Sequence, residues 1–242
     1  MCMDQNKMKL DKLKEIRDDN SIEKLPISDK ELCERYEKLF TGVVSDALRE
    51  NLLLEQCLPS NIMPLRDNMK VAGIAFTIKS IKDSTIEGEM EKRGEMLENI
   101  SDNDVCVWFT GDDNKSAHWG EVMTMTTKAQ GGKGAIVDGG LRDIDQVLEQ
   151  DFPVFYKYRT PNGSLGRCRM IDYQVPITIG NVIIHPGDVV FADISGVVVV
   201  PRKISYDILL RAEEMIDDES EVKEWINDGT SPEEVVDRGG YF

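Results

Sequence analysis

Gly134-Ala135-Ile136-Val137-Asp138-Gly139-Gly140-Leu141-Arg142-Asp143 is the stretch on which the fold turns. Its first five residues form a short apolar run bounded by glycine, which predicts a buried strand over Lys133 to Val137 that ends in a turn at Gly139-Gly140. A helix over Ile144 to Gln150 follows. Upstream, Lys115 to Gln130 reads as helical, and Gly131-Gly132 ends it at a left-handed cap. Within that segment Gly120 to Met123, in Trp119-Gly120-Glu121-Val122-Met123, begin a helix or bend one. Further out lie a strand at Val105 to Phe109, a helix at Glu87 to Asn99 and a β-branched strand at Val71 to Ile78. Strands alternating with helices argue a layered α/β domain.

From Pro153 the pattern becomes β-rich. Strands are expected at Val154 to Tyr158, Arg169 to Ile179, Val182 to Ile184, Asp188 to Ala192 and Gly196 to Val200, with turns at Gly180-Asn181 and Pro186-Gly187. The ends of the chain are helical in pattern. Residues 1–27 are charged and mildly amphipathic, a short helix and linker. Ser28 and Glu31 form a capping box that opens a helix with Leu32, Tyr36, Leu39 and Phe40 on one face, and Thr41 starts a second helix. Tyr206 to Asn227 is an acidic amphipathic helix, and Ser231-Pro232-Glu233-Glu234 signals a final short one. The expected organisation is therefore 1–27 as a helical segment, 28–205 as the α/β domain and 206–242 as a helical extension.

The composition narrows the function classes. The 242 residues carry a formal net charge of -16, which repels a phosphate backbone, so no nucleic-acid partner is expected. No run of 18 apolar residues exists, so no membrane span is expected. The first residues have no apolar core of a signal peptide, which predicts a cytoplasmic protein. The five cysteines form no Cys-x-x-Cys pair and read as reduced thiols. With two histidines, His118 and His185, a zinc site is not expected. His118 is placed on a helix surface, close enough to Gly120 to line a pocket, and His185 in a turn. Neither Lys79 nor Lys128 lies in a recognisable Schiff-base context. Trp108-Phe109 reads as core.

Two adjacent side chains carry chemistry. The Arg142 guanidinium can grip a carboxylate through two parallel hydrogen bonds. Asp143 can hold a hard divalent cation through oxygen. Together they suit a 2-oxo acid, whose carboxylate lies beside a metal-binding oxygen. The alternative is local: Asp143 caps the helix that follows it, and Arg142 makes a surface ion pair.

The whole pattern resembles the RraA-like family, which includes metal-dependent 4-hydroxy-4-methyl-2-oxoglutarate and 4-carboxy-4-hydroxy-2-oxoadipate aldolases as well as regulators of ribonuclease activity. The resemblance runs through Val71 to Thr77, Trp119 to Met123, Gly134 to Asp143, His185 to Asp193 and Gly196 to Pro201, covering about residues 40 to 205. It implies a three-layer β/β/α domain of the swivelling type, here with N- and C-terminal helical extensions. It implies a class II lyase that releases pyruvate through an enolate and also decarboxylates oxaloacetate. Asp143 would hold Mg2+ or Mn2+, and Arg142 would bind substrate and stabilise the enolate. Gly120 and the backbone of Glu121, Val122 and Met123 would bind the pyruvate carboxylate. Glu121, 21 positions before Arg142 and a glutamate where some members have aspartate, would serve in acid/base steps, reaching the metal through water or directly, although it also reads as an ordinary solvated helix carboxylate. The resemblance further implies a homotrimer or homohexamer with sites at subunit interfaces. The alternative activity is a noncatalytic regulator that binds a ribonuclease or helicase.

Overall fold

The computed structural model describes residues 24–240. The expected N-terminal helical segment therefore lies almost wholly outside the described residues. The first helix, α1 (Asp29–Tyr36), opens as the capping box predicts, with the Ser28 hydroxyl accepting from the Glu31 N–H at 3.2 Å. It ends at Tyr36, so two residues of the expected apolar face lie beyond it: Leu39 is buried in the turn, and Phe40 is 42% exposed. Helix α2 (Thr41–Glu50) starts without a cap from its own N-cap residue. Asp193, distant in sequence, accepts from the Thr41 N–H and hydroxyl at 2.8 and 2.7 Å.

Eleven strands follow among the described residues, with helices between them. They are β1 (Met63–Pro64), β2 (Val71–Lys82), β3 (Asp104–Phe109), β4 (Ala117–Trp119), β5 (Gly134–Leu141), β6 (Val154–Arg159), β7 (Cys168–Tyr173), β8 (Ile177–Ile179), β9 (Val182–Ile184), β10 (Val189–Asp193) and β11 (Gly196–Val200). The helices are α3 (Glu89–Glu98), α4 (Glu121–Ala129), α5 (Ile144–Glu149), α6 (Ser205–Asn227) and α7 (Pro232–Asp237). The large sheet runs β1-β6-β5-β3-β2-β10-β11, with β4 paired to β5 and β7 to β2. Its centre, β2-β3-β5-β6, is parallel. The β10–β11 pair and its contact to β2 are antiparallel.

Side-chain parity sorts the layers. Val71, Ala75, Val105, Val107, Ile136, Phe155, Val190 and Val199 face the small antiparallel β8–β9 sheet. The alternate residues face helices: Ala72, Ile74, Phe191 and Val198 meet α1, α2 and α6, while Phe76, Trp108, Val137 and Val154 meet α3 and α5. Strands buried on both faces read as continuous apolar runs, which is why they stand out in the sequence. The result is the expected β/β/α layering with a mixed α/β sheet and flanking helices.

Three local expectations are corrected. The helix expected over Lys115 to Gln130 is strand β4 followed by α4, with the break at Gly120. Gly139-Gly140 is not a turn but the buried end of β5. A Cβ on Gly139 would lie 2.8 Å from Thr110 Cγ2, and one on Gly140 2.5 Å from the Ser116 carbonyl oxygen, so these glycines serve close approach of neighbouring chains. The single strand expected over Arg169 to Ile179 is two, β7 and β8, separated where Gln174 takes a φ of 50°. The cap after α4 is as expected: Gly131 has a φ of 92°, and the N–H groups of Gly132 and Gly131 donate to Thr127 and Lys128 at 2.9 and 3.1 Å, a Schellman motif.

Candidate active site

A cleft of about 540 Å3 opens beside the carboxyl ends of β4 and β5, the end of a parallel sheet where ligands usually bind. Gly120, Val122, Met123, Arg142 and Asp143 all line it. Residues 19 to 23 positions apart thus meet because β4 pairs with β5 in parallel, and the Arg142 N–H donates to the Trp119 carbonyl at 3.1 Å. Glu121 is the exception. Its N–H donates to Asp143, but it is not among the lining residues.

Asp143 does not take the capping role of the local alternative, whereas Arg142 does make a part-exposed ion pair, with Asp143 itself. It occupies the N-cap position of α5 yet makes no side-chain capping bond. Its backbone is left-handed, φ 54° and ψ 44°, a conformation that costs a non-glycine residue about 1–2 kcal/mol and concentrates at functional sites. Its carboxylate turns back toward β4 instead. Oδ2 lies 3.3 Å from Arg142 Nε and accepts a long bond from the Glu121 N–H at 3.4 Å. The side chains of Arg142 and Asp143 are 48% and 38% exposed, open to a ligand.

Gly120 makes this arrangement sterically possible. Its φ of -173° is extended backbone that any residue adopts, but a Cβ there would lie 2.6 Å from Asp143 Oδ2 and 3.1 Å from Arg142 Cγ. The glycine leaves a cradle against the carboxylate. It also exposes the first turn of α4, whose N–H groups at Val122 and Met123 have no intrahelical acceptor and carry the positive end of the helix dipole. Below, Trp119 is held by Nε1 donating to Thr124 Oγ1 at 2.9 Å, and that hydroxyl donates to the Gly120 carbonyl at 3.0 Å. Trp108, fully buried as expected of core, stacks edge-on against Trp119 at 6.3 Å.

The opposite wall comes from α3 and the loop before β7, which the sequence did not mark. Arg93 donates to Glu89 Oε1 at 2.6 Å and to Ser164 Oγ at 3.0 Å. Met90, Leu97 and Leu165 add apolar surface. Nothing in their spacing distinguishes them from an ordinary helix face and loop.

His118 also departs from expectation. It sits on β4, 2% exposed, rather than on a helix surface, and it does line the cleft. Its Nε2 lies 3.2 Å from Asp113 Oδ2. Burial pushes its pKa down to about 4, against the opposing pull of Asp113, so the imidazole is neutral at pH 7.

A single divalent cation fits Asp143. Mg2+ is satisfied by one or two protein carboxylates plus water and substrate oxygens. The part-exposed carboxylate, with glycine beside it in place of a side chain, offers that donor set.

The RraA-like family model, Aldolase/RraA, matches residues 41–199. Among curated proteins, a "Putative 4-hydroxy-4-methyl-2-oxoglutarate aldolase" of Halalkalibacterium halodurans is 30% identical over 187 residues, 77% of this chain and 84% of that protein. Protein DlpA of Legionella pneumophila is 25% identical over 175 residues, 72% of this chain but only 28% of that longer protein. Among solved structures, one titled as novel cellulases from microbes associated with the gut ecosystem is 52% identical, with a TM-score of 0.85 over 88% of this chain and 96% of that one. Streptomyces coelicolor RraAS2, described as an unusual member of the RNase ES inhibitor RraA protein family, is 26% identical, with a TM-score of 0.73 over 83% of this chain and 99% of that one. Among the described residues, no helix is long and apolar enough to cross a membrane.

Proposed function

The chain belongs to the RraA-like family, and from that membership we propose that it is a class II lyase cleaving a 2-oxo acid that carries a second carboxylate. The observation that carries the reading is Asp143: a strained residue at a helix start whose carboxylate is turned away from capping and toward Gly120 and Arg142. The reaction is like that of 4-hydroxy-4-methyl-2-oxoglutarate aldolase, with oxaloacetate decarboxylation as a second activity.

Each residue has a task. Asp143 would hold Mg2+ or Mn2+, which when bound would supply Lewis-acid stabilisation of the developing negative charge. The Val122 and Met123 N–H groups receive the carboxylate next to the ketone, as helix N-termini receive anions. Arg142 donates to the ketone oxygen and follows the charge that develops there. Cleavage breaks the C3–C4 bond. In the aldol case the C4 hydroxyl gives up its proton and the electron pair passes to C3. In the oxaloacetate case CO2 leaves with the same result. Protonation at C3 yields pyruvate. Glu121, whose N–H donates to Asp143, serves the proton steps, through water or directly. The chain works as a homotrimer or homohexamer with the cleft at a subunit interface. The exposed apolar side chains of Met90, Val122, Met125 and Leu165, 51%, 70%, 56% and 44% exposed, suit a face covered by a neighbour.

The second reading is a noncatalytic regulator that binds a ribonuclease or helicase. The likeness to RraAS2 favours it, and the same apolar rim would serve it. One experiment separates the two. Pyruvate release is measured over oxaloacetate, 4-hydroxy-4-methyl-2-oxoglutarate and 4-carboxy-4-hydroxy-2-oxoadipate, with Mg2+, with Mn2+ and with a chelator. Turnover that a chelator abolishes and Mg2+ restores supports the lyase. Absence of turnover on all three, with a ribonuclease retained from lysate, supports the regulator.

A further inference from the structure

Asp113, His118 and Cys168 come from the loop after β3, from β4 and from the first residue of β7. An imidazole nitrogen, a carboxylate oxygen and the sulfur all lie within 4.8 Å of one another. The three residues are 7%, 2% and 1% exposed. We propose that this cluster is a transition-metal site, selective for Zn2+, distinct from the magnesium-type site at Asp143.

The donor set sets the selectivity. One thiolate, one imidazole and one carboxylate suit zinc, whereas Mg2+ and Ca2+ prefer oxygen alone. Donor atoms around tetrahedral zinc lie roughly 3.3–3.8 Å apart, given bonds of about 2.0–2.3 Å. The Asp113–His118 contact at 3.2 Å is already at that spacing, and closing the remainder from 4.8 Å needs a shift of about 1 Å. Binding would displace the Cys168 thiol proton to solvent, leaving a thiolate, a carboxylate and a neutral imidazole on the ion.

His118 Nδ1 is buried with no hydrogen-bond partner, so it can carry the ring proton while Nε2, which faces Asp113, takes the ion. Asp113 is also oriented, since its carboxylate accepts from the N–H groups of Lys115 and Ser116 at 3.3 and 2.8 Å. No Cys-x-x-Cys spacing announces the site, because its members stand at positions 113, 118 and 168. The bound ion would tie β4 to β7 two residues before Gly120. It would thereby brace the cleft floor without touching substrate.

The test uses full-length, untagged, chelator-treated protein. Co2+ is the optical probe and Zn2+ the competitor. One equivalent of Co2+ should give a thiolate-to-cobalt charge-transfer band in the near ultraviolet, and Zn2+ should bleach it and raise Tm. Cys168→Ser should remove the band, while Cys57→Ser, at an exposed thiol, and Asp143→Asn should keep it. Asp113→Asn, nearly the same in volume, should weaken Co2+ binding at least ~10-fold. No charge-transfer band in the wild type overturns the proposal, as does a band that survives in Cys168→Ser. Because Asp143→Asn is silent here, failure of this site and failure of the lyase reading are separate results.

Discussion

Substituting Gly120 by alanine adds one carbon at the most sensitive point of the cleft. The backbone there is extended, φ -173° and ψ -164°, so alanine meets no conformational penalty. Its restriction of the unfolded chain is worth about 0.4–1 kcal/mol of stability, which a poorer N-cap residue roughly offsets. The fold should therefore be unchanged within about 0.5 kcal/mol. The site should not be. The new Cβ would stand 2.6 Å from Asp143 Oδ2, and Arg142 Cγ at 3.1 Å and Nε at 3.5 Å close the neighbouring space. Real contacts of this kind essentially never fall below 3.0 Å, so the carboxylate must retreat at least 0.4 Å. Displacements of ~0.5–1 Å in a reacting constellation cost on the order of 10–10²-fold. The expected outcome for Gly120→Ala is that loss in kcat/KM for pyruvate release and a weaker Mn2+ affinity, with Tm unchanged. Gly163→Ala is the graded control. Its Cβ meets only the mobile end of Arg142, Nη1 at 3.0 Å, so the loss should be smaller. A Gly120→Ala enzyme with full efficiency and unaltered Mn2+ binding would refute the role given to the glycine and with it the position given to the metal.

Asp143→Asn should lose turnover and Mn2+ binding while its Tm stays put, because no capping bond is lost; a drop in stability of about 1 kcal/mol with normal turnover would restore the capping assignment. Asp143→Gly should likewise be no less stable, since glycine accepts the left-handed φ of 54°. Arg142→Lys keeps the charge but not the planar fork, and catalytic efficiency should fall at least ~10²-fold; an equally active lysine variant would show that a point charge is enough. Asp104 offers a test of the fold rather than the site. Burial raises its pKa from 3.8 to about 6, against the Ser101 N–H, which donates to it at 2.7 Å. The folded state thus holds its proton more tightly than the unfolded state between pH 3.8 and about 6. Stability therefore falls as pH rises through that window and levels off above it. Asp104→Asn, which can keep the Ser101 bond, should be more stable above pH 6 by up to about 3 kcal/mol and indifferent below pH 4; urea denaturation across pH checks it, and a pH-independent difference would show that the carboxylate is not desolvated.

What the sequence made legible follows from where its information is local. The strands β3, β5, β10 and β11 and the first part of β2 stand out because burial on both faces leaves them almost free of polar residues. The Ser28 cap and the Gly131 stop are readable because each is set by residues within one turn. Strand β4 was not readable. Ser116-Ala117-His118-Trp119 carries two polar residues that a buried strand would ordinarily reject, and they are tolerated because Asp113 in the preceding loop accepts from the Ser116 N–H and lies 3.2 Å from His118 Nε2. Gly139-Gly140 misleads for a related reason. Its small size answers to Thr110 and to the Ser116 carbonyl, across strands, and not to a turn of its own chain. Gly120, Arg142 and Asp143 were legible as adjacent chemistry and as a family pattern, but what distinguishes a cap from a ligand was not. The direction of the Asp143 carboxylate depends on its left-handed backbone and on the space that Gly120 leaves 23 positions earlier. A helix-capping aspartate and a ligand-bearing one have the same letter and the same neighbours in sequence. In Asp143 a left-handed backbone turns the oxygens away from its own helix and toward Gly120, which the β4–β5 pairing brings alongside.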